Sequence, residues 1–569
     1  MRRLALFSAA TLFAFAGTAA ATPTSDYNAA VKDYFAGAFK ASPTFATATG
    51  VHDYDCALDQ VEASDHTQTL ARLTAAKARL LAIDGKALSP IDRDDRDILV
   101  TTIDRQLLEE QTVQQWRHNP GPYADLMTTA VYSLIERDFA PLPVRMACVI
   151  SREKQFPKTV AAAEHNLTDM PAVYVDIALE NLGGAFGFLK NDVPSAFGSV
   201  KDAKLQADLA ASTKAAIDAA TAYKAFLIAQ KPKAHGSFVM GRAALQRLLA
   251  SDMVNVPVER VLEAGKAQLA KDRAAYLVAE KLVDPKNPSA ASGEIEADHP
   301  DAAHLISTAR DGLVALQTFI NAHHIVTLPS PMLPTVAETP AFGRALVFGE
   351  LDPPGALETH ATTAYYYITP PDAASPKADQ EKLLAYFNRS FLQNLSVHEA
   401  LPGHFVQYLF QRANPKWSIV RSTSASYTAT EGWAHYTEQM MLDEGLGNGD
   451  PKLRLSQLTD ALLRDCRLVA AIEMHTGAMT LDQATTLMEQ QCFQSTAVGP
   501  KEARRGTSDP GYFSYTLGKL EILKLRDDMQ KKEGKDFSLT RFHDRFLNAG
   551  LIPIAVIRRE MTGEDGPVL

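Results

Sequence analysis

The stretch Ser396-Val397-His398-Glu399-Ala400-Leu401-Pro402-Gly403-His404-Phe405 constrains this chain most. It holds two histidines, a glutamate directly after the first, and a Pro-Gly pair directly before the second. Two neutral imidazoles and a nearby carboxylate are what a hydrolytic metal centre requires: the rings hold the ion, and the carboxylate takes a proton from water. The usual spacing, H-E-x-x-H, puts both rings on one face of a helix. Here they are six positions apart. On a continuous helix six steps of ~100° turn the second ring ~240° from the first, onto the wrong face. Pro402 removes a backbone donor and clashes with the preceding turn, and Gly403 tolerates backbone angles that other residues avoid. The sequence therefore predicts a motif helix over about 394–411, interrupted between Ala400 and His404 so that His404 swings back beside His398.

A catalytic zinc takes three protein ligands and keeps a position for water. Glu431, in Glu431-Gly432-Trp433-Ala434, lies 27 positions after His404 on a segment that reads as a second helix. It is the candidate third ligand. Glu399 is the candidate general base, since it follows the first ligand without being one. Glu438, two turns beyond Glu431, is either a residue that orients a ligand histidine or a surface acid. His435, one turn after Glu431, is chemically able to ligate and is kept as a substrate-binding candidate.

H-E-x-x-P-G-H followed by E-G-W-A resembles the bacterial family called domain of unknown function 885. That family is similar to gluzincin-type zinc peptidases, such as the thermostable carboxypeptidase Taq and thimet oligopeptidase families. The resemblance extends over nearly the whole mature chain and is strongest between His398 and Arg526. It implies a mainly α fold: a two-lobed helical metallopeptidase with a small antiparallel β element beside the active site. It also implies Glu431 as the third zinc ligand, and Tyr515, in a P-G-x-x-x-Y stretch, as the donor to the tetrahedral intermediate, with Tyr512 as understudy. The alternative for both tyrosines is packing under a helix start. His475 matches a family histidine, but Ala471 and Glu473 stand where the family commonly has Asp and Gly. The family more often has an apolar residue where this chain has His435. Arg504, with Arg505 and Arg526, is a candidate for a substrate carboxylate, or an ordinary ion-pair arginine.

The remainder of the chain sets the frame. Its 569 residues suffice for a large core, and 46% hydrophobic residues read as globular. A net charge of −10 without a basic run argues against nucleic acid as a partner. Arg2 and Arg3, the apolar run Leu4 to Phe15 and Ala19-Ala20-Ala21 read as a signal peptide cleaved after Ala21. No cysteine directly follows, so a lipoprotein is not expected, and no later stretch reads as a membrane span. The expected location is periplasmic or secreted, with no membrane anchor after cleavage. Four cysteines, Cys56, Cys148, Cys466 and Cys492, permit three pairings in an oxidising compartment, or none.

Helical texture runs from Ser25 to about residue 323. One helix is expected to open at Ser89 with Pro90 in its first turn and Asp92 at the capping-box position. Short strands are expected at Ala345–Phe348 and Ala364–Ile368, upstream of the motif. The organisation read from this is a signal peptide at 1–21, an N-terminal helical lobe at 22–325 and a catalytic lobe at 326–569. The function expected is zinc-dependent peptide hydrolysis, with a peptide as partner. The rival readings are a non-catalytic peptide-binding or scaffold protein on the same fold, and a metal hydrolase of non-peptide amides or esters.

Overall fold

A computed structural model describes residues 22–340, 344 and 347–569. The signal peptide read at 1–21 lies outside the described residues. The chain is mostly helical, with one small sheet.

Local chemistry accounts for many helix boundaries. The helix Pro90–Leu108 opens as its sequence predicts: the Ser89 hydroxyl accepts from Asp92 N–H at 3.1 Å, with proline at the first position. The capping box does not close, because the short Asp92 side chain instead accepts from the Ser89 hydroxyl at 2.8 Å. Asn388 caps Arg389–Glu399 by accepting from Phe391 N–H, and Ser426 caps Tyr427–Asp443 by accepting from Ala429 N–H.

The largest core draws Tyr27 to Leu107 together with Leu305 to Val326, the sheet, and Leu384 to Met561. It thus takes side chains from both sides of position 325. A second core is built within residues 58–234 by the helices Gly121–Ile135, Leu142–Glu153, Phe156–Asn166, Ala172–Gly187 and Ala203–Gln230. The run Ala172–Ala196 corrects one expectation, since among the described residues it is long and apolar enough to cross a membrane. Val175, Ala178, Leu182, Leu189 and Val193 of that run are buried in the second core. A π-helical segment, Phe188–Asp192, follows, with Phe188 and Leu189 buried and Lys190 exposed. One face of the run therefore packs on the second core, while 39% of its apolar window is buried. Cys56 pairs with Cys148 and Cys466 with Cys492, which selects one of the three possible pairings.

The sheet has three strands: β1 (Thr335–Glu338), β2 (Gly349–Asp352) and β3 (Tyr365–Ile368), in the order β1-β3-β2. β2 and β3 form the expected antiparallel pair, while β1 adds to β3 in parallel, so the sheet is mixed. The first expected strand is displaced: Ala345 and Leu346 lie outside the described residues, and β2 begins at Gly349, after Phe348. Proline-rich 328–334 hid β1 from a propensity reading. Tyr366 of β3 faces the motif helix and its hydroxyl meets the Ser396 hydroxyl at 3.2 Å, seating the sheet on Arg389–Glu399.

Candidate metal centre

The motif helix breaks where proline and glycine demand it. Arg389–Glu399 ends at Glu399, Ala400 leaves helical angles at φ −117°, ψ −81°, and His404 opens the next helix, His404–Ala413. The Leu401–Pro402 peptide is cis. Gly403 N–H donates to Val397 C=O at 3.0 Å, folding the turn back against the helix end. The indole N–H of Trp433 donates to Pro402 C=O at 2.9 Å and fixes the turn to Tyr427–Asp443. In consequence the rings of His398 and His404 stand 4.9 Å apart at 89°.

Glu431 reaches the same point from Tyr427–Asp443. Its Oε2 lies 3.6 Å from His398 Nε2 and 3.5 Å from His404 Nε2. Ligand atoms of these three residues all lie within 4.8 Å of one another, the one such group of His, Cys, Asp or Glu among the described residues. Two ligands ~2.1 Å from a tetrahedral ion are ~3.4 Å apart, so the two Glu431 separations fit one zinc. Oε2 of Glu431 is buried and has no hydrogen-bond partner among the described residues, as expected of an oxygen whose partner is an ion.

The far side of each imidazole is held. His398 Nδ1 meets Glu438 Oε1 at 2.7 Å, and Arg464 Nη2 reaches the same oxygen at 3.2 Å. His404 Nδ1 meets Gln407 Oε1 at 2.9 Å, while the Gln407 amide donates to Ala429 C=O at 3.2 Å and Thr430 C=O at 3.3 Å. With both Nδ1 atoms donating, both Nε2 atoms face Glu431. Burial and Arg464 oppose a charge on His398, but Glu431 and Glu438 override them and raise it to about 9. Burial pushes Glu431 up, yet the two imidazoles hold it well below the usual carboxylate range. The cluster thus retains positive charge, in the form of a proton or a cation.

Glu399 is half-buried, and its Oε2 accepts from Leu351 N–H of β2 at 2.9 Å. Tyr515 is also half-buried at the start of Ser514–Glu533, its ring 6.3 Å from that of His398 and nearly parallel to it. The guanidiniums of Arg464 and Arg467 lie 5.5 Å and 5.2 Å from the Tyr515 ring centre. Burial and Glu431 raise the Tyr515 hydroxyl, so it stays protonated and able to donate at neutral pH.

Other sequence candidates take other places. His475 is buried, with Nε2 on Gly506 C=O at 2.8 Å and its ring edge-on to Phe238. Tyr512 is buried, and its hydroxyl packs on Gly506, where a Cβ would lie 2.0 Å from it. Arg504 pairs with Glu180 at 3.0 Å, Arg505 with Asp509 at 3.1 Å, and Arg526 donates to the Tyr436 hydroxyl at 3.2 Å. His435 is fully buried, its Nδ1 3.3 Å from Glu438 Oε2. Burial, then Lys519, depress it to about 3, so it is neutral. Sequence reasoning missed Gln407 and Arg464. Gln407 had a signal, since it lies one turn after His404 on the same face. Arg464 had none, because it reaches Glu438 only through packing of Pro451–His475.

The fold recurs in solved structures. A protein of Shewanella oneidensis, described as a candidate lipoprotein of unknown function, superposes with a TM-score of 0.79 at 26% identity, covering 95% of this chain and 100% of that one. A candidate lipoprotein of Colwellia psychrerythraea gives 0.80 at 17% identity, covering 95% and 99%. An M32 carboxypeptidase of Deinococcus radiodurans R1 gives 0.33 at 12% identity, covering 89% and 96%, too distant to support an argument. No curated protein sequence matches. The family described as bacterial protein of unknown function (DUF885) matches residues 43–561, and the chain belongs to that family.

Proposed function

We propose that this protein is a zinc-dependent peptide hydrolase in which His398, His404 and Glu431 hold one ion and Glu399 is the general base. The observation that carries the reading is the convergence of two Nε2 atoms and Glu431 Oε2 on one point, with each Nδ1 occupied by Glu438 or Gln407. Two imidazoles and a carboxylate suit zinc and leave a fourth position open. A zinc bound there would supply Lewis acidity, lowering the pKa of water and polarising a carbonyl. Glu399 takes a proton from the attacking water and delivers it to the departing amine. The Tyr515 hydroxyl donates to the oxygen on which charge develops. β2 is an edge strand of the sheet and contacts Glu399 through Leu351 N–H, so an extended peptide laid along it would run past the base. An extracytoplasmic location is supported by two disulfides, by the signal-like N-terminus and by the lipoprotein description of the Shewanella structure.

The test is elemental analysis of protein purified without added metal, joined to a substrate panel of peptides, amides and esters before and after chelation. About one zinc per chain and chelator-sensitive peptide hydrolysis that zinc restores are expected. Metal-free protein that still hydrolyses peptides overturns the reading. Zinc-loaded protein inert on the whole panel favours the peptide-binding alternative.

A further inference from the structure

The arginines that the sequence offers for a substrate carboxylate are held by other partners: Arg504 by Glu180, Arg505 by Asp509 and Arg526 by the Tyr436 hydroxyl. Two different arginines reach the site, both from the helix Pro451–His475. Arg464 and Arg467 are three positions apart and so lie on one face of it. That face meets Tyr515, with the guanidinium carbons 5.5 Å and 5.2 Å from the centre of its ring. The Tyr515 ring is in turn 6.3 Å from that of His398. Both positive groups therefore stand within a few residues' length of the candidate metal ligands.

The two guanidiniums are used differently. Arg464 is turned back into the protein: Nη2 holds Glu438 at 3.2 Å, Nη1 donates to Asp460 C=O at 3.1 Å, and Nε is sealed from solvent. Arg467 is 8% exposed, and its Nε and Nη2 grip the two oxygens of Glu502 at 2.7 Å and 2.9 Å. This pair joins Pro451–His475 to Gly499–Ser508 and fixes the guanidinium plane. It leaves Nη1, which has no partner among the described residues and is not sealed from solvent. A guanidinium held in plane and largely stripped of water loses little freedom on meeting a carboxylate, and water competes weakly for it. Arg505, whose side chain is 42% exposed, lacks that advantage.

We propose that Arg467 sets the specificity of the site by donating from Nη1 to a substrate carboxylate, so that the peptides cleaved are short and carry a negative charge close to the scissile bond. The separations through Tyr515 put the guanidinium within ~12 Å of the His398 ring, a span that about three or four residues of extended chain cover at ~3.3 Å each. A free C-terminus and an Asp or Glu side chain present the same two oxygens, and either can supply the group. This inference rests on the zinc peptidase reading above and names the class of peptide that such a site takes.

The test uses the zinc-loaded protein and N-acetylated alanine peptides of graded length, each made as the free acid, as the C-terminal amide, and as the amide with Asp at one position. At lengths that bring the terminus to Arg467, kcat/KM of the acid should exceed that of the plain amide about 10–100-fold, the worth of a hydrogen bond to a charged group. Equal rates for acid and plain amide, with a rise of that size only in the Asp peptides, identify an acidic side chain as the source and support the proposal equally. Neutral amides cleaved as fast as both anionic series overturn it and leave the zinc reading intact. In Arg467→Met the anionic preference should collapse to within a few-fold of unity, mainly through KM, with zinc content unchanged. If that variant loses its fold, by circular dichroism, or its zinc, Arg467→Lys decides: a point charge cannot reproduce the planar fork, and the preference should drop severalfold. Full preference in either folded, zinc-loaded variant overturns the proposal. A wild-type protein that binds no zinc, or that is zinc-loaded and inert on every peptide, overturns the peptidase reading and this inference with it.

Discussion

A Cβ at position 403 would lie 1.8 Å from the carbonyl oxygen of His398, so Gly403 occupies its place only by having none. That contact closes the turn which brings two imidazoles, six residues apart, to one point. Gly403→Ala must push the turn off the helix end. It should cost ~2 kcal/mol or more of stability, as overpacking does, and should abolish zinc binding even where the variant remains folded. Thermal unfolding and elemental analysis together check this; a variant that binds zinc normally contradicts the role given to the turn.

Glu399→Gln should separate binding from chemistry. The change is nearly isosteric and leaves His398, His404 and Glu431 in place, but an amide cannot take the proton from water. Zinc content should be unchanged and turnover should fall about 10²–10⁴-fold, the usual worth of a general base. Activity surviving within a few-fold places the base elsewhere.

Gln407→Leu removes the acceptor that fixes the His404 ring, while keeping its bulk on the helix face. Lost outer-shell partners typically cost about 10–100-fold in metal affinity, and a loss in that range is expected here. Chelator competition measures it. Because Gln407 also ties the helix to Ala429 and Thr430, the melting temperature is recorded alongside, and a stability loss without an affinity loss contradicts the orienting role.

His543 offers a pH test away from the ligands. Burial, with Arg526 as a lesser cause, depresses it to about 4, and its ring both meets Ile325 C=O from Nδ1 and accepts from the Tyr436 hydroxyl at Nε2. Unfolded, it titrates near ~6.5. Between those values the unfolded chain binds a proton that the folded chain does not, so this contribution is whole above about 6.5 and declines as pH falls, by up to ~1.4 kcal/mol per pH unit. His543→Gln keeps a donor and an acceptor without a titration. The variant's deficit relative to wild type, from denaturant midpoints, should shrink between pH 7 and pH 5; a constant deficit contradicts the prediction.

The sequence by itself singled out His398, His404 and Glu431, the group that could hold a metal, and Glu399 next to the first of them. His398, Glu399, His404 and Glu431 are legible because helix period, helix breaking by Pro402-Gly403 and metal-ligand chemistry are local rules, and each acts over a few residues. The Ser89 cap and the strand Tyr365–Ile368 were legible for the same reason, whereas β2 begins after the strand expected at 345–348. Tertiary structure decided everything that depends on which helix lies against which. It chose Cys56–Cys148 and Cys466–Cys492, added β1 in parallel, and packed one face of the apolar run 172–196 on a core. It also set His475 against Gly506 C=O and brought Arg464 to Glu438. Gly432 and Gly518 illustrate the reason: they are 86 positions apart, their packing is backbone against backbone, and no local rule of propensity or spacing registers that two helices will cross there. Since hydrogen-bond partners of a buried group are fixed by such crossings, a ligand is readable from its own neighbourhood in sequence, and the residues that hold it in place are readable only once the helices are packed.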